Sequence, residues 1–275
     1  MTQPMEPVEN YPSLWYCPPG SLVPAKTQPI LLVHGMWGWH WVWSHFVQTF
    51  SDAGYPCYAV DMVGHGPDTH HNPPPGNLQV SEYVAELKKT MELITARHDN
   101  TPPLVMGYSM GGLIVQKTLE TTPAAGLVLI SSAAPKGILV LPPFHTLFIL
   151  VKYLIKSFFT PLVEPDDKEV YYLAFHHMTG EELKLALERV VPEYSRAYRQ
   201  IILGRVPVES RHITCPVLVV GGGQDRMVTS KSNQQLAKKY NASLIIFAQA
   251  SHWLAREEGW QDVCNYILKW ATSKQ

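Results

Sequence analysis

The feature that most constrains the fold is a series of short apolar runs bounded by turn residues. They are ILLV at 30–33, CYAV at 57–60, LVM at 104–106, LVLI at 127–130, VLVV at 217–220 and SLIIF at 243–247. Each is too short for a helix, and none alternates cleanly between apolar and polar residues. A strand with one wet face shows that alternation; a strand covered on both faces does not. The runs therefore predict strands buried within a parallel sheet. Helical patterns lie between most of them. In SEYVAELKKTMELITARH, Tyr83, Leu87, Met91 and Ile94 form a stripe at helical spacing, with Ser81 placed to cap its start. Residues 110–120 and 259–270 also read as helices. Strand and helix in repetition specify a doubly wound α/β sheet.

One interval breaks the rhythm. More than eighty residues separate the apolar run at 127–130 from the one at 217–220, and no convincing strand lies between them. Helical patterns fill much of the gap, at 146–159, 166–178, 180–190 and 193–203. The expected organisation is an arm at residues 1–27, a core at 28–137 and 211–275, and a helical cap at 138–210. The arm is proline-rich and is expected to lie irregularly on the surface. At 275 residues, the chain is long enough for one α/β core with an insertion.

Charge and cysteine usage exclude several function classes. Twenty-two basic residues face 23 acidic ones, so no field of one sign draws in nucleic acid or an anionic membrane. The most apolar stretch, ILVLPPFHTLFILVKYLIKSFF at 138–159, carries two prolines, His145, Lys152 and Lys156, which makes it a poor bilayer span. No membrane insertion is expected. Cys17, Cys57, Cys215 and Cys264 are scattered without a C-x-x-C pair, which favours free packed thiols and a reducing cytoplasm. The N-terminus lacks the basic and apolar segments of a signal peptide.

The most specific chemical signal is MGYSMGG at 106–112. It holds G-x-S-x-G between an apolar run and a helical pattern, the context in which this motif presents a nucleophile. Ser109 at such a turn stands in a strained backbone above the sheet edge, beside a helix N-terminus that favours negative charge. A serine hydroxyl needs a base, and the base needs an orienting acid. Asp225, after VLVVGGGQ, and His252, after SLIIFAQAS, follow in the order expected for this architecture. Asp61 competes with Asp225, but it precedes Ser109 and suits a loop-bonding role. Asp61, His65, His70 and His71 have the composition of a metal cluster without the spacing of one.

These pieces resemble the α/β-hydrolase fold family. The motifs are HGMWG, DMVGHG, GYSMGG, PVLVVGGGQDRMV and ASHWL, in that order from about residue 28. The GHG loop and the cap resemble the esterase, lipase and lactonase branches. Trp41 and Trp43 are similar to a feature of the plant methylesterase and hydroxynitrile lyase group. The resemblance implies a mostly parallel sheet of about six strong strands flanked by helices, with the family's first hairpin shortened or missing. It implies Ser109, Asp225 and His252 as a triad, and the backbone N–H groups of Met36 and Met110 as the oxyanion hole. The implied reaction cleaves a small-molecule ester or lactone through an acyl-enzyme and requires no cofactor or metal. Haloalkane dehalogenases and epoxide hydrolases share the scaffold but need aspartate where Ser109 stands. C–C hydrolysis, lyase chemistry, acyl transfer and a ligand receptor on the same scaffold stay open as alternatives.

HGMWGWHWVW, residues 34–43, looks like an aromatic strand but is interrupted by Gly35 and Gly38. Its best reading is a loop followed by a helix starting near Trp39 or His40, with Trp39, Trp43, Phe46, Val47 and Phe50 facing the sheet. Trp37 stays in the loop and is expected to line the pocket. Phe144 and Met178 are the cap residues expected to join it, around a small to medium hydrophobic acyl group.

Overall fold

The computed structural model describes residues 4–67 and 77–273. Its centre is a sheet in the order β1-β2-β4-β3-β5-β6-β9-β10. The strands are β1 Glu6–Val8, β2 Tyr11–Cys17, β3 Ile30–Val33, β4 Cys57–Val60, β5 Leu104–Tyr108, β6 Gly126–Ile130, β9 Val217–Gly222 and β10 Ser243–Phe247. From β4 across to β10 every pairing is parallel, which accounts for the six apolar runs. β3, β4, β5, β6 and β9 are buried along their whole length. Alternate residues feed two separate cores. Ile30 and Leu32 pack with Phe46, Phe50 and Ile267 on one face, while Leu31 and Val33 pack with Tyr83, Leu87 and Ile114 on the other.

The expected irregular arm is wrong for residues 6–17. β1 and β2 form an antiparallel hairpin, and β2 pairs with β4 from Leu14↔Val60 to Cys17↔Cys57. YPSLWYC hides this role because only Leu14 and Cys17 are fully enclosed, the pattern of a strand near a sheet edge. Trp15 adds a contact no local pattern signals: its indole N–H donates to Asp61 Oδ2 at 2.8 Å.

The core helices are α1 Ser44–Asp52, α2 Val80–Arg97, α3 Met110–Thr118, α8 Ser230–Tyr240 and α9 Trp260–Ser273. α2 begins one residue before Ser81, and Glu82 reaches back to the Gln79 N–H at 3.1 Å. His40–Trp43 forms one turn of 3-10 helix leading into α1. Trp43, Phe46 and Phe50 are fully buried as expected, while Trp39 is only half-buried and donates its indole N–H to the Arg189 carbonyl at 3.0 Å.

Between β6 and β9 lie α4 Phe144–Lys156, α5 Asp167–Val170, a π-helical turn Tyr171–Phe175, α6 Gly180–Glu188 and α7 Ser195–Ile202. Two short strands also occur here, β7 Leu162–Val163 and β8 Glu193–Tyr194, paired antiparallel. Glu193 ties this layer to the core. It accepts from Tyr83 Oη at 2.6 Å and from the Tyr194 N–H at 2.8 Å, and it meets His65 Nε2 at 3.2 Å. Burial alone would lower the His65 pKa, but the Glu193 carboxylate raises it above the ordinary value. Among the described residues, no helix is long and apolar enough to cross a membrane.

Candidate active site

The chain reverses its direction of winding between β3 and β5: β4 lies on one side of β3, and β5 with β6 on the other. Ligands bind outside the carboxyl ends of strands at such a switch point. Ser109 lies just beyond β5, and Met36 just beyond β3. Ser109 has φ 52 and ψ −119, a strained conformation for a residue with a side chain. The surroundings impose it. The Ser109 N–H donates to the Ile130 carbonyl at 3.0 Å, and its own carbonyl accepts from Ala133 at 2.8 Å and Gly112 at 3.1 Å. A Cβ at Gly107 would stand 2.6 Å from the Gly112 Cα, and one at Gly111 would collide with the His34 carbonyl oxygen. The glycines of the motif thus let β5, α3 and β3 approach closely.

The three expected catalytic side chains meet. His252 Nε2 lies 3.1 Å from Ser109 Oγ, and His252 Nδ1 lies 2.8 Å from Asp225 Oδ2. Asp225 Oδ1 accepts from the Met227 and Val228 N–H groups at 2.8 and 2.9 Å, so the carboxylate has its second oxygen occupied and its first aimed at the imidazole. All three residues are buried, with Ser109 the most open at 8 % exposure. Two further residues hold the histidine loop. Tyr108 Oη donates to the His252 carbonyl at 3.0 Å. Glu257 accepts from the Ser251 N–H at 2.6 Å and from its hydroxyl, and burial pushes the Glu257 pKa up. Sequence reading missed both. Tyr108 is visible only as the residue before the nucleophile, and Glu257 carries no local signal.

Met110 opens α3, so its N–H lies outside the intrahelical ladder. Among the described residues the Met36 N–H meets no protein acceptor. Its direction is set by His34. Nδ1 of that ring lies 2.8 Å from the Gly35 carbonyl, so it must donate, and Nε2 then accepts from the Met62 N–H at 3.1 Å. A trans peptide holds C=O and N–H on opposite sides. Pinning the Gly35 oxygen to His34 therefore fixes where the Met36 N–H points. Burial, with His65 nearby, drives the His34 pKa down to about 3, which keeps the ring in this neutral tautomer.

Two cavities meet at Met36, Trp37, Ser109 and Met227. One, of about 430 Å³ with its open mouth, is walled by Trp41, Tyr108, Phe175, Val190, His252 and Trp253 among others. The second, about 1180 Å³ with its open mouth, runs past Met110, Ile138, Leu147, Leu150, Val151 and Ile202. Trp37 lines both, held in the loop at φ 63. Trp41, which stands off the sheet-facing stripe, lines the first as well. Phe144 and Met178 line neither. Phe144, at the first turn of α4, is 84 % exposed, and Met178 is packed in the core with Phe175 and Ala174. The sequence shows only that they are apolar; the rotation of α4 decides where Phe144 faces, and the loop between the π-helical turn and α6 carries Met178 into the core.

Asp61, the rival acid, and His65 have other partners. Asp61 accepts from the His40 N–H at 2.6 Å, from His40 Nδ1 at 2.8 Å and from Trp15, so it braces the loop behind the site. His65 is held by Glu193, and His70 and His71 lie outside the described residues.

The family model for the alpha/beta hydrolase family matches residues 30–265. The chain belongs to the α/β-hydrolase family. Among curated relatives of this hydrolase-family chain, an ethanol acetyltransferase of Eremothecium cymbalariae is 33% identical over 115 residues, 42% of this chain and 29% of that protein. The chain thus spans under a third of that relative's length. A monoacylglycerol lipase of Mycolicibacterium smegmatis is 24% identical over 256 residues, covering 89% of this chain and 88% of that one. A solved structure of a soluble variant of monoglyceride lipase from Saccharomyces cerevisiae shares the fold, with a TM-score of 0.71 at 14% identity over 95% of this chain and 91% of that chain.

Proposed function

We propose that this chain is a serine hydrolase of carboxylic esters with hydrophobic acyl groups, and that lactones enter by the same steps. The observation that carries the reading is the hydrogen-bonded line from Asp225 through His252 to Ser109, which ends at a cavity between the N–H groups of Met36 and Met110. His252 takes the Ser109 proton as Oγ attacks the carbonyl carbon. Asp225 holds Nδ1–H in place and stabilises the imidazolium. The Met36 and Met110 N–H groups donate to the developing oxyanion, each worth roughly 3 kcal/mol of barrier. The leaving alcohol departs with the proton from His252, and water then repeats the sequence on the acyl-enzyme. The likeness to a monoacylglycerol lipase supports the same class of bond.

The decisive test is hydrolysis of p-nitrophenyl butyrate by the wild type and by Ser109→Ala and His252→Ala. Turnover is expected in the first and at least about a 10³-fold loss in the variants. A folded wild type that turns over no ester or lactone overturns the reading. Acyl transfer is a second reading, favoured by the identity with an ethanol acetyltransferase. It uses the same acyl-enzyme with an alcohol in place of water. An ester product formed faster than free acid in dilute ethanol would favour it.

A further inference from the structure

The two cavities at Ser109 divide the substrate between them, and the direction of proton transfer says which half goes where. This rests on the ester reading above. The leaving oxygen takes its proton from His252 Nε2, so the alcohol part must lie against that ring. The acyl part stays on Ser109 Oγ, with its oxygen at the Met36 and Met110 N–H groups. The smaller cavity is lined by His252 and Trp253, and the larger by Met110 without His252. We propose that the larger groove holds the acyl chain and the smaller aromatic chamber holds the alcohol. The preferred substrates are then esters of long, unsubstituted aliphatic acids with compact alcohols.

The lining chemistry fits each half. Ser109 is the one polar side chain among the residues that line the groove; the rest are aliphatic, aromatic, methionine, proline or glycine. Such a wall gives a hydroxyl or charge on the acyl chain no side-chain partner beyond Ser109, and an unpaired polar group costs free energy on burial. The groove runs out between the segment from Ile138 to Val151 and the end of α7 at Ile201 to Gly204. Leu139, Leu147 and Val151 are exposed there, so a chain that outgrows the groove meets apolar surface before water. The acyl groups are therefore longer than the sequence alone suggests. Aromatic rings supply much of the chamber wall: Trp37, Trp41, Phe175 and Trp253, with Tyr108 committed to the His252 carbonyl. It suits a compact apolar alcohol and offers little to a polyol.

The test is a two-way matrix of kcat/KM. Acyl length is varied from acetate through butyrate to decanoate as p-nitrophenyl esters below their aggregation limit. Alcohol size is varied from methyl to phenyl to naphthyl as decanoates. A methylene leaving water for the groove is worth about fourfold, so decanoate is expected to exceed acetate by at least about tenfold. Ile202→Trp and Val151→Trp add bulk to the groove wall, and each should lower the decanoate-to-acetate ratio at least about tenfold. Val190→Phe narrows the chamber and should lower the naphthyl-to-methyl ratio instead. Wild type that prefers acetate overturns the assignment while leaving ester hydrolysis intact. So do groove variants that change alcohol preference and not acyl preference. No hydrolysis of any ester in the matrix refutes the ester reading itself.

Discussion

Replacing His34 with asparagine tests the site's least obvious support. The His34 ring is fully buried, its Nδ1 donates to Gly35 and its Nε2 accepts from Met62. Burial resists the charge of a second proton and His65 nearby opposes it, which is why the pKa falls to about 3 from 6.5; Nε2–H would also face the Met62 N–H. The unfolded chain binds that proton at an ordinary value, so the sign follows. The contribution to stability is complete above about pH 6.5, declines as pH falls, and is gone near pH 3. At pH 5 the gap is about 1.5 units, or about 2 kcal/mol. For a chain of this size that is roughly 4–8 °C in Tm between pH 7 and pH 5. Wild type should lose this margin and His34→Asn should not, since other titrating groups act equally in both. Calorimetry across that range measures the difference. The asparagine variant should also lose at least about tenfold in kcat and kcat/KM together, because a loosened Met36 N–H weakens only the transition state. Equal pH slopes in the two proteins, or a His34 NMR titration with a midpoint near 6, would refute the reasoning.

Other outcomes follow from the same structure. Glu193→Gln strands the buried His65 and should cost about 3–5 kcal/mol; because the His65 pKa is raised, the deficit relative to wild type should be largest below about pH 6.5 and shrink as pH rises through the folded value, as read from Tm against pH. Gly111→Ala puts a methyl against the His34 and Val33 carbonyl oxygens and should destabilise by about 1–3 kcal/mol or abolish soluble expression; a variant of wild-type Tm would show that α3 is free to move. Asp61→Asn turns an acceptor of three donors into a half-matched amide and should cost about 1–3 kcal/mol, with any rate loss smaller than that of Asp225→Asn. If Asp61→Asn instead proved as inactive as Asp225→Asn, the identity of the catalytic acid would have to be reversed.

The parallel sheet and the identity of the three candidate catalytic residues were legible in the sequence because their causes are local. Buried strands need unbroken apolar runs, and the elbow at Ser109 needs glycines at 107 and 111 whatever the rest of the chain does. The hairpin at residues 6–17 was not legible, because an edge strand is only half enclosed and its partner β4 lies forty residues away. Nor were the pocket walls. Phe144 and Leu147 stand on the same helix with similar side chains, yet only Leu147 reaches the groove, since the angle at which α4 lies on its neighbours decides which face is covered. Trp41 and Trp253 become walls only when the loops after β3 and β10 meet. By itself the sequence determined which groups are available to react. Packing between segments far apart in the chain decided how those groups are oriented and how large a space surrounds them, because directions and volumes are properties of several elements at once.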